Sequence, residues 1–416
     1  MENISTLLII LQIAIAFFLM LFVHELGHFV FAKRAGVLVR EFSIGMGPKI
    51  FSFVKGETKY SLRLLPIGAY VNMATSDDHL YDLKTGMSYG VELRDGLLTD
   101  IYFNPKEHDT ITLNQYDFNE DLFVSGTNLA GEEIRYTVAE NAIVHKEKTS
   151  VQIAPKSRQF ISKPVSTRLL SIVSGPLFNI ALALILFFAI ALIVGAPTNE
   201  VMIIEVIENS AAEQAQLQVA DKITGINNQT YDTANALIEK LQASSGVEVT
   251  LNIERNGLKM DIPITPVLDN GAGRIGVMTG SVYEKIGLGK AITTSFDEIK
   301  KWIILIIDSF KMLFTGKVDM DDLAGPVGIF QISSNAAKAG LISLMNWTAV
   351  LSLYLGFFNL LPIPALDGSR LLFLVAEGVR GKPVAPEKEG FIHFLGFAFL
   401  MLLIIVVTIN DIAKFF

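Results

Sequence analysis

His24-Glu25-Leu26-Gly27-His28 is the segment of this chain best equipped for chemistry. On a helix, residues four apart stand about 40° apart around the axis and about 6 Å apart along it. Both imidazoles therefore share a face and can reach one ion. Zinc takes nitrogen and oxygen ligands in a tetrahedral arrangement, and a catalytic site leaves one position open for water. Glu25 sits beside that face and is the natural general base, because zinc makes water acidic enough for a carboxylate to take its proton. His-Glu-x-x-His on a helix is for these reasons a signature of zinc-dependent peptide-bond hydrolysis. Its setting is apolar. From Ile4 to Val23 the only polar residues are Ser5, Thr6 and Gln12, and Phe29, Val30, Phe31 and Ala32 carry the run past the motif. A stretch of that length reads as a membrane span, where ionisable groups are costly and mark function.

A third protein ligand is required. The residues after His28, Phe29-Val30-Phe31-Ala32-Lys33-Arg34, lack the further histidine that soluble metzincins place downstream. The other histidines are His79, His108 and His145, all in a soluble-looking stretch, and His393, at the start of the last apolar run. Asp367 is the stronger choice. It lies in Asn359-Leu360-Leu361-Pro362-Ile363-Pro364-Ala365-Leu366-Asp367-Gly368, at the end of another apolar run and at a depth similar to the first motif.

These residues must be positioned by membrane helices. Hydrophobic residues make up 51% of the 416-residue chain and the mean hydropathy is +0.45, which points to a membrane protein; charged residues are still 18%, so a sizeable soluble part is expected too. Four runs qualify as spans, at about 4–32, 169–195, 341–361 and 391–412. Only Glu2 is charged before the first run and no small-residue cleavage site follows, so that run reads as a retained span. The absence of cysteine excludes disulfides and thiolate metal sites, and a net charge of −8 gives no reason to expect nucleic acid as a partner.

Basic residues set an expected orientation. Lys33, Arg34, Arg40 and Lys49 follow span 1; Lys156, Arg158, Lys163 and Arg168 precede span 2; Arg370, Arg380, Lys382 and Lys388 lie between spans 3 and 4. The positive-inside rule then places both termini and residues 196–340 outside, with 33–168 and 369–390 inside. Residues 37–73 alternate apolar and polar and carry Gly45, Gly47-Pro48 and Gly56, which is strand-and-hairpin chemistry beside the metal motif. Residues 74–150 hold 15 acidic against 6 basic side chains, a net of −9, and read as a β-rich cytosolic insertion. Residues 199–268 read as a compact α/β module. The helix expected over 296–314, opened by a capping box of Ser295 and Glu298, carries apolar residues too few to span and should lie in the interface.

Together, His24-Glu25-Leu26-Gly27-His28 and the Asn359–Gly368 segment resemble the site-2 proteases, and more closely the bacterial RseP-type zinc intramembrane proteases. Supporting matches are Phe42-Ser43-Ile44-Gly45-Met46-Gly47-Pro48, Ser174-Gly175-Pro176-Leu177-Phe178-Asn179 and Ala324-Gly325-Pro326-Val327-Gly328-Ile329. A single PDZ module and Gln152-Ile153-Ala154-Pro155-x-x-Arg158-Gln159-Phe160 are more similar to the Gram-positive members. The resemblance implies a multi-pass α-helical membrane protein: span 1 in 1–36, a membrane-reentrant β-element in 37–73, a cytosolic β-rich insertion in 74–166, span 2 in 167–195, an extracytoplasmic PDZ domain in 196–285, an amphipathic interfacial region in 286–340, span 3 in 341–368, a cytosolic loop in 369–390 and span 4 in 391–416. It implies Zn2+ held by His24, His28 and Asp367, and Glu25 as catalytic base. Asn359, Pro362 and Pro364 would contact the substrate backbone, and the edge in 37–73, with Gly45 and Gly47, would pair with it. Substrates would be single-pass membrane proteins already trimmed by another protease, such as anti-sigma factors and remnant signal peptides, met in membrane lipid by a monomer. The alternative is a zinc transporter or non-catalytic PDZ scaffold; the apolar spans 2 and 4 offer an ion no path. Where the family has Ala-Gly-Leu-x-x-Gly-Asp, this chain has Ala215-Gln216-Leu217-Gln218-Val219-Ala220-Asp221, which puts the turns that glycine permits in question.

Overall fold

The computed structural model describes residues 2–75, 81–147, 149–231, 234–269, 271–316 and 323–415. His79 lies outside them. The chain divides into two compact units, one formed by Met1–Leu184 with Lys301–Phe416 and the other by Ile185–Lys300.

Helix α1 (Glu2–Arg34) carries the His-Glu-x-x-His motif and is followed by two long strands, β1 (Val39–Lys55) and β2 (Thr58–Met73). Both strands bend. The first half of β1 is paired on its two sides by the two halves of β2, so that Phe42 faces both Tyr60 and Val71. The bend in β1 falls at Gly45 and Gly47, with φ of +83° and +81°; a Cβ on Gly45 would lie 2.6 Å from the Leu65 carbonyl oxygen, so only glycine fits. One face packs on α1 through Phe42 and Tyr60, whose rings lie 5.3 and 5.9 Å from that of Phe29. Beyond the bend, Ile50, Phe51, Phe53 and Val54 are exposed apolar side chains.

Six strands follow: β3 (Ser88–Arg94), β4 (Leu97–Tyr102), β5 (Asp109–Asp117), β6 (Phe123–Asn128), β7 (Glu133–His145) and β8 (Ser150–Gln152). Their order is β4-β3-β5-β6-β7-β8, and β4 also pairs in parallel with β7, so the sheet closes on itself around Tyr81, Leu98, Ile111, Phe118 and Ile153. Closure removes all but short edges.

Helix α2 (Val165–Ile193) leads into the second unit. There β9 (Ala196–Val206), α3 (Ala211–Gln214), β10 (Lys222–Ile226), α4 (Ala234–Ala243), β11 (Val249–Arg255), β12 (Leu258–Ile264), the short pair β13 (Val267–Asp269) and β14 (Ala272–Arg274), and β15 (Val277–Glu284) succeed one another. The five-stranded sheet runs β12-β11-β10-β9-β15 over a core of Ile203, Ile223, Leu251 and Ile253. The replaced glycines leave the backbone unchanged in kind. Gln216 and Ala220 take φ of +59° and +73°, the left-handed conformations glycine would supply, and hydrogen bonds from Leu217 N–H to Ala212 O and from Ala220 N–H to Ile203 O hold the turns.

Helix α5 runs Leu288–Phe314, starting before Ser295. The expected capping box is therefore absent: Ser295 is buried in mid-helix and its hydroxyl donates to the Ile292 carbonyl. Then come α6 (Pro326–Lys338), α7 (Leu341–Leu360), α8 (Asp367–Arg380) and α9 (Pro386–Phe415). Among its described residues, region 286–340 thus holds two helices, with Pro326 in the first turn of α6 where its missing N–H costs nothing. The α6 start is capped from afar by Asp411 of α9, whose carboxylate accepts from Gly328 N–H at 2.8 Å. Two expectations around residue 368 need correction. Asp367 does not end the third span; α7 stops at Leu360, and Asp367 opens a separate helix after a loop containing Pro362 and Pro364, which cannot donate to a helix. Nor is 369–390 a plain loop, since α8 occupies it up to Arg380, ended by Gly381 in the left-handed conformation.

Among the described residues, four helical segments are long and apolar enough to cross a membrane: Thr6–Arg34, Val165–Ile193, Leu341–Leu360 and Glu387–Lys414.

Candidate metal centre

Helix α1 presents His24 and His28 on one face, both buried, with ring centroids 4.9 Å apart. The Asp367 carboxylate arrives from the first turn of α8. His24 Nε2 and His28 Nε2 lie 3.2 Å apart, and Asp367 Oδ2 lies 3.1 Å from the first and 3.3 Å from the second. Among the described residues these three form the one group of His, Asp and Glu side chains close enough to share a metal ion. The donor set fits zinc. Ligand atoms about 2.0–2.1 Å from a tetrahedral zinc stand about 3.3 Å apart, which is the size of this triangle.

Helix α2 supplies no ligand yet orients both rings. The Ser171 carbonyl accepts from His28 Nδ1–H at 2.8 Å, which leaves Nε2 of that ring free for a metal. Asn179, fully buried, puts its amide nitrogen 3.2 Å from His24 Nδ1 and leaves its Oδ1 without a partner. An imidazole that binds metal through Nε2 carries its proton on Nδ1 and needs an acceptor there. Exchanging the amide's oxygen and nitrogen, which have the same shape, provides that acceptor and ends the oxygen's isolation. The orphaned atom therefore favours a metal on His24 Nε2.

Small residues allow the helices to come this close. A Cβ on Gly27 would lie 2.4 Å from the Ser174 carbonyl oxygen, and one on Gly175 would lie 2.3 Å from His28 Nε2. Helix α7 meets the same turn of α2, with Gly356 against the Pro176 carbonyl and Ser352 Oγ donating to Asn179 O at 2.9 Å. Lower on α2, buried Arg168 makes a two-pronged ion pair with Glu377 of α8, the helix that begins with Asp367. One helix thus ties down the elements that carry His24, His28 and Asp367.

Glu25 is partly buried beside the triad, and among the described residues its carboxylate has no hydrogen bond or ion pair. It is a carboxylate free to receive a proton. The remaining described histidines make other contacts. His108 and His145 stack on the two neighbours' shared ring, Tyr102, at 3.7 and 4.5 Å in the closed sheet. His393 hydrogen-bonds the backbone of Ala365. Asn359 donates to Leu355 O in its own helix, Pro362 and Pro364 shape the α7–α8 loop, and Gly45 and Gly47 make their contacts with Arg63 and Leu65 inside the β1–β2 sheet. Sequence reasoning missed Asn179 as a partner of the centre. The signal was present, since an amide within an apolar span has few other uses.

Two helix-borne imidazoles and a carboxylate from a second helix make a donor set that fits zinc, with Glu25 near all three. The whole-chain comparisons agree: residues 12–403 match the model of Peptidase family M50, and this chain belongs to that family, as a zinc metalloprotease of the site-2 protease kind. It is 41% identical to "Zinc metalloprotease RasP" of Geobacillus kaustophilus (strain HTA426), over 99% of this chain and 100% of that one. It is 38% identical to "Regulator of sigma-W protease RasP" of Bacillus subtilis (strain 168), over 98% and 99%, and 39% identical to "Probable protease eep" of Enterococcus faecalis (strain ATCC 700802 / V583), over 98% and 99%. Among solved structures, the PDZ domain of an SdrC-like protein from Listeria monocytogenes matches 20% of this chain and 87% of its own length, with 20% identity and a TM-score of 0.19.

Proposed function

We propose that this protease cleaves peptide bonds of single-pass membrane proteins inside the bilayer. The observation that carries the reading is the triangle of His24, His28 and Asp367 donor atoms, 3.1–3.3 Å on a side, set among helices apolar enough to span a membrane. Zinc bound there supplies Lewis acidity toward a peptide carbonyl and toward water. Glu25 takes the proton of the attacking water and returns it to the departing amine nitrogen. Ser171 O and Asn179 keep both rings in the tautomer and orientation that the ligands need.

A substrate helix hides its amides in its own hydrogen bonds and must open first. The second half of β2 pairs with β1 on one side, and its other edge has no partner strand among the described residues. An opened substrate segment would pair there as an added strand, with Gly45 and Gly47 shaping the sheet and Asn359 holding a further backbone group. Pro362 and Pro364 keep the α7–α8 loop irregular beside the centre. Substrates are taken to be single-pass proteins pre-trimmed by another protease, anti-sigma factors and remnant signal peptides among them; a named role in sigma-W regulation belongs to the Bacillus subtilis relative. The β9–β15 module is assigned as a PDZ domain outside the cell, with both termini; the metal centre faces the cytoplasmic side of the membrane, and the protein works as a monomer in lipid without nucleic acid. The basic residues flanking the spans support that orientation.

The test is Glu25→Gln in the full chain. Retained zinc, lost cleavage and a trapped membrane substrate are expected. Cleavage at the wild-type rate would end the reading. Because the chain has no cysteine, single introduced cysteines report topology without background; labelling from the cytoplasmic side in β9–β15 would reverse the orientation.

A further inference from the structure

The Asp367 ligand sits just after a loop that is not held by regular structure. Ala365, two residues before it, has φ of +77°. A side-chain-bearing residue takes that conformation only at a steric cost, so surrounding contacts must enforce it. The contacts come from the last helix. His393 Nδ1 accepts the Ala365 N–H at 3.1 Å and lies 3.5 Å from Ser369 Oγ, whose own proton goes to Leu366 O. A Cβ on Gly396, one turn along α9, would lie 2.2 Å from the Pro364 Cβ, so α9 and the loop touch backbone to ring. Phe373 of α8 closes the group, its ring 5.7 Å from the His393 ring.

The ring's other nitrogen has no such role. Nε2 is buried without a hydrogen bond, and its ion-pair contact with Glu389 Oε1 of the same helix is a loose 3.7 Å. A donor already fills Nδ1, so His393 cannot also direct that atom at a metal. The residue therefore acts on the loop and not on the ion.

We propose that His393 is a positioning residue: by accepting the Ala365 N–H it fixes the left-handed turn that delivers the Asp367 carboxylate to the two histidines. The side chain needs an acceptor at the Nδ1 position and nothing at Nε2. Asparagine places its Oδ1 where Nδ1 stands; leucine fills the space and accepts nothing. The inference rests on Asp367 being the third zinc ligand.

The experiment compares His393→Leu, His393→Asn and Asp367→Asn in the full-length protein in lipid nanodiscs, reading zinc affinity and the visible spectrum of the cobalt-substituted protein. His393→Leu is expected to lower zinc affinity about tenfold, at the low end of the range for a direct partner of a ligand because it acts two residues away from Asp367, and to alter the cobalt bands. His393→Asn should keep both near wild type. If His393→Leu binds zinc and colours with cobalt as the wild type does, or if His393→Asn fails as badly as leucine, the brace is refuted while the ligand reading stands. If Asp367→Asn binds zinc as tightly as wild type, the ligand reading falls and the inference falls with it.

Discussion

Two carboxylates of this molecule, Asp221 buried and Asp367 half-buried, meet opposite surroundings. Asp221, in the β9–β15 module, is 1% exposed and fully answered: Arg255 donates twice at 2.6 Å and Gln218 N–H at 2.8 Å. Asp367 meets only imidazole nitrogens that are themselves crowded to 3.2 Å. Three such atoms converge where a proton or a metal cation joins them, and the size of their triangle fits zinc. Asp221 has its partners within the fold, whereas the atoms around Asp367 keep the spacing that a shared ion would need. The contrast separates structural from functional charge without reference to any relative.

Breaking the functional side should have the larger effect. Glu25→Gln is expected to reduce cleavage roughly 10²–10⁴-fold with zinc retained, measured on a reconstituted membrane substrate with metal content determined in parallel. Gly175→Ala should strip the centre of zinc at least tenfold, because its Cβ would sit 2.3 Å from His28 Nε2; competition with a zinc-binding dye reads this. Asn179→Leu removes only the hydrogen bond behind His24, so a loss of about 10–100-fold in zinc affinity is expected. An Asn179→Leu protein with normal zinc affinity would show that the ring needs no partner on α2.

On the structural side the same measurements should not move. Arg255→Met leaves Asp221 buried without its partner and should destabilise the module by about 3 kcal/mol, the low end for a broken buried pair since Arg255 is partly exposed. Hydrogen exchange in residues 196–284 reports it, with zinc affinity unchanged. The smallest effect is on pH. Burial pushes the Asp221 carboxyl up, but the Arg255 guanidinium and the Gln218 N–H more than offset it and hold it below the usual 3.8. A lowered native value means that stability is present in full above the unfolded value and is lost as pH falls through the native one. The module should therefore weaken only below about pH 4, and Asp221→Asn should remove that part of the acid sensitivity.

Which parts were legible follows from the range of the signals. The metal motif shows in sequence because His24 and His28 are four residues apart and their geometry is local. The four apolar segments show because lipid demands uninterrupted apolar runs. Asp367 showed as a residue but not as the first residue of α8, since the prolines that end α7 say where a helix stops and not whether another begins. Helix α8 is short and amphipathic, and its charges read as loop charges. The capping box at Ser295 failed because the pattern also occurs inside helices, where serine bonds back to a carbonyl. The roles of Asn179 and His393 depend on contacts 155 and 28 residues away along the chain, beyond anything local patterning records.

The central claim is that one zinc ion joins two imidazoles of α1 to the carboxylate that opens α8. X-ray absorption at the zinc edge, on the full-length Glu25→Gln protein, tests it most directly. The account predicts one zinc per chain with two imidazole nitrogens and a carboxylate oxygen at about 2.0–2.2 Å. A first shell with fewer than two imidazoles, or one left unchanged by Asp367→Asn, would contradict it.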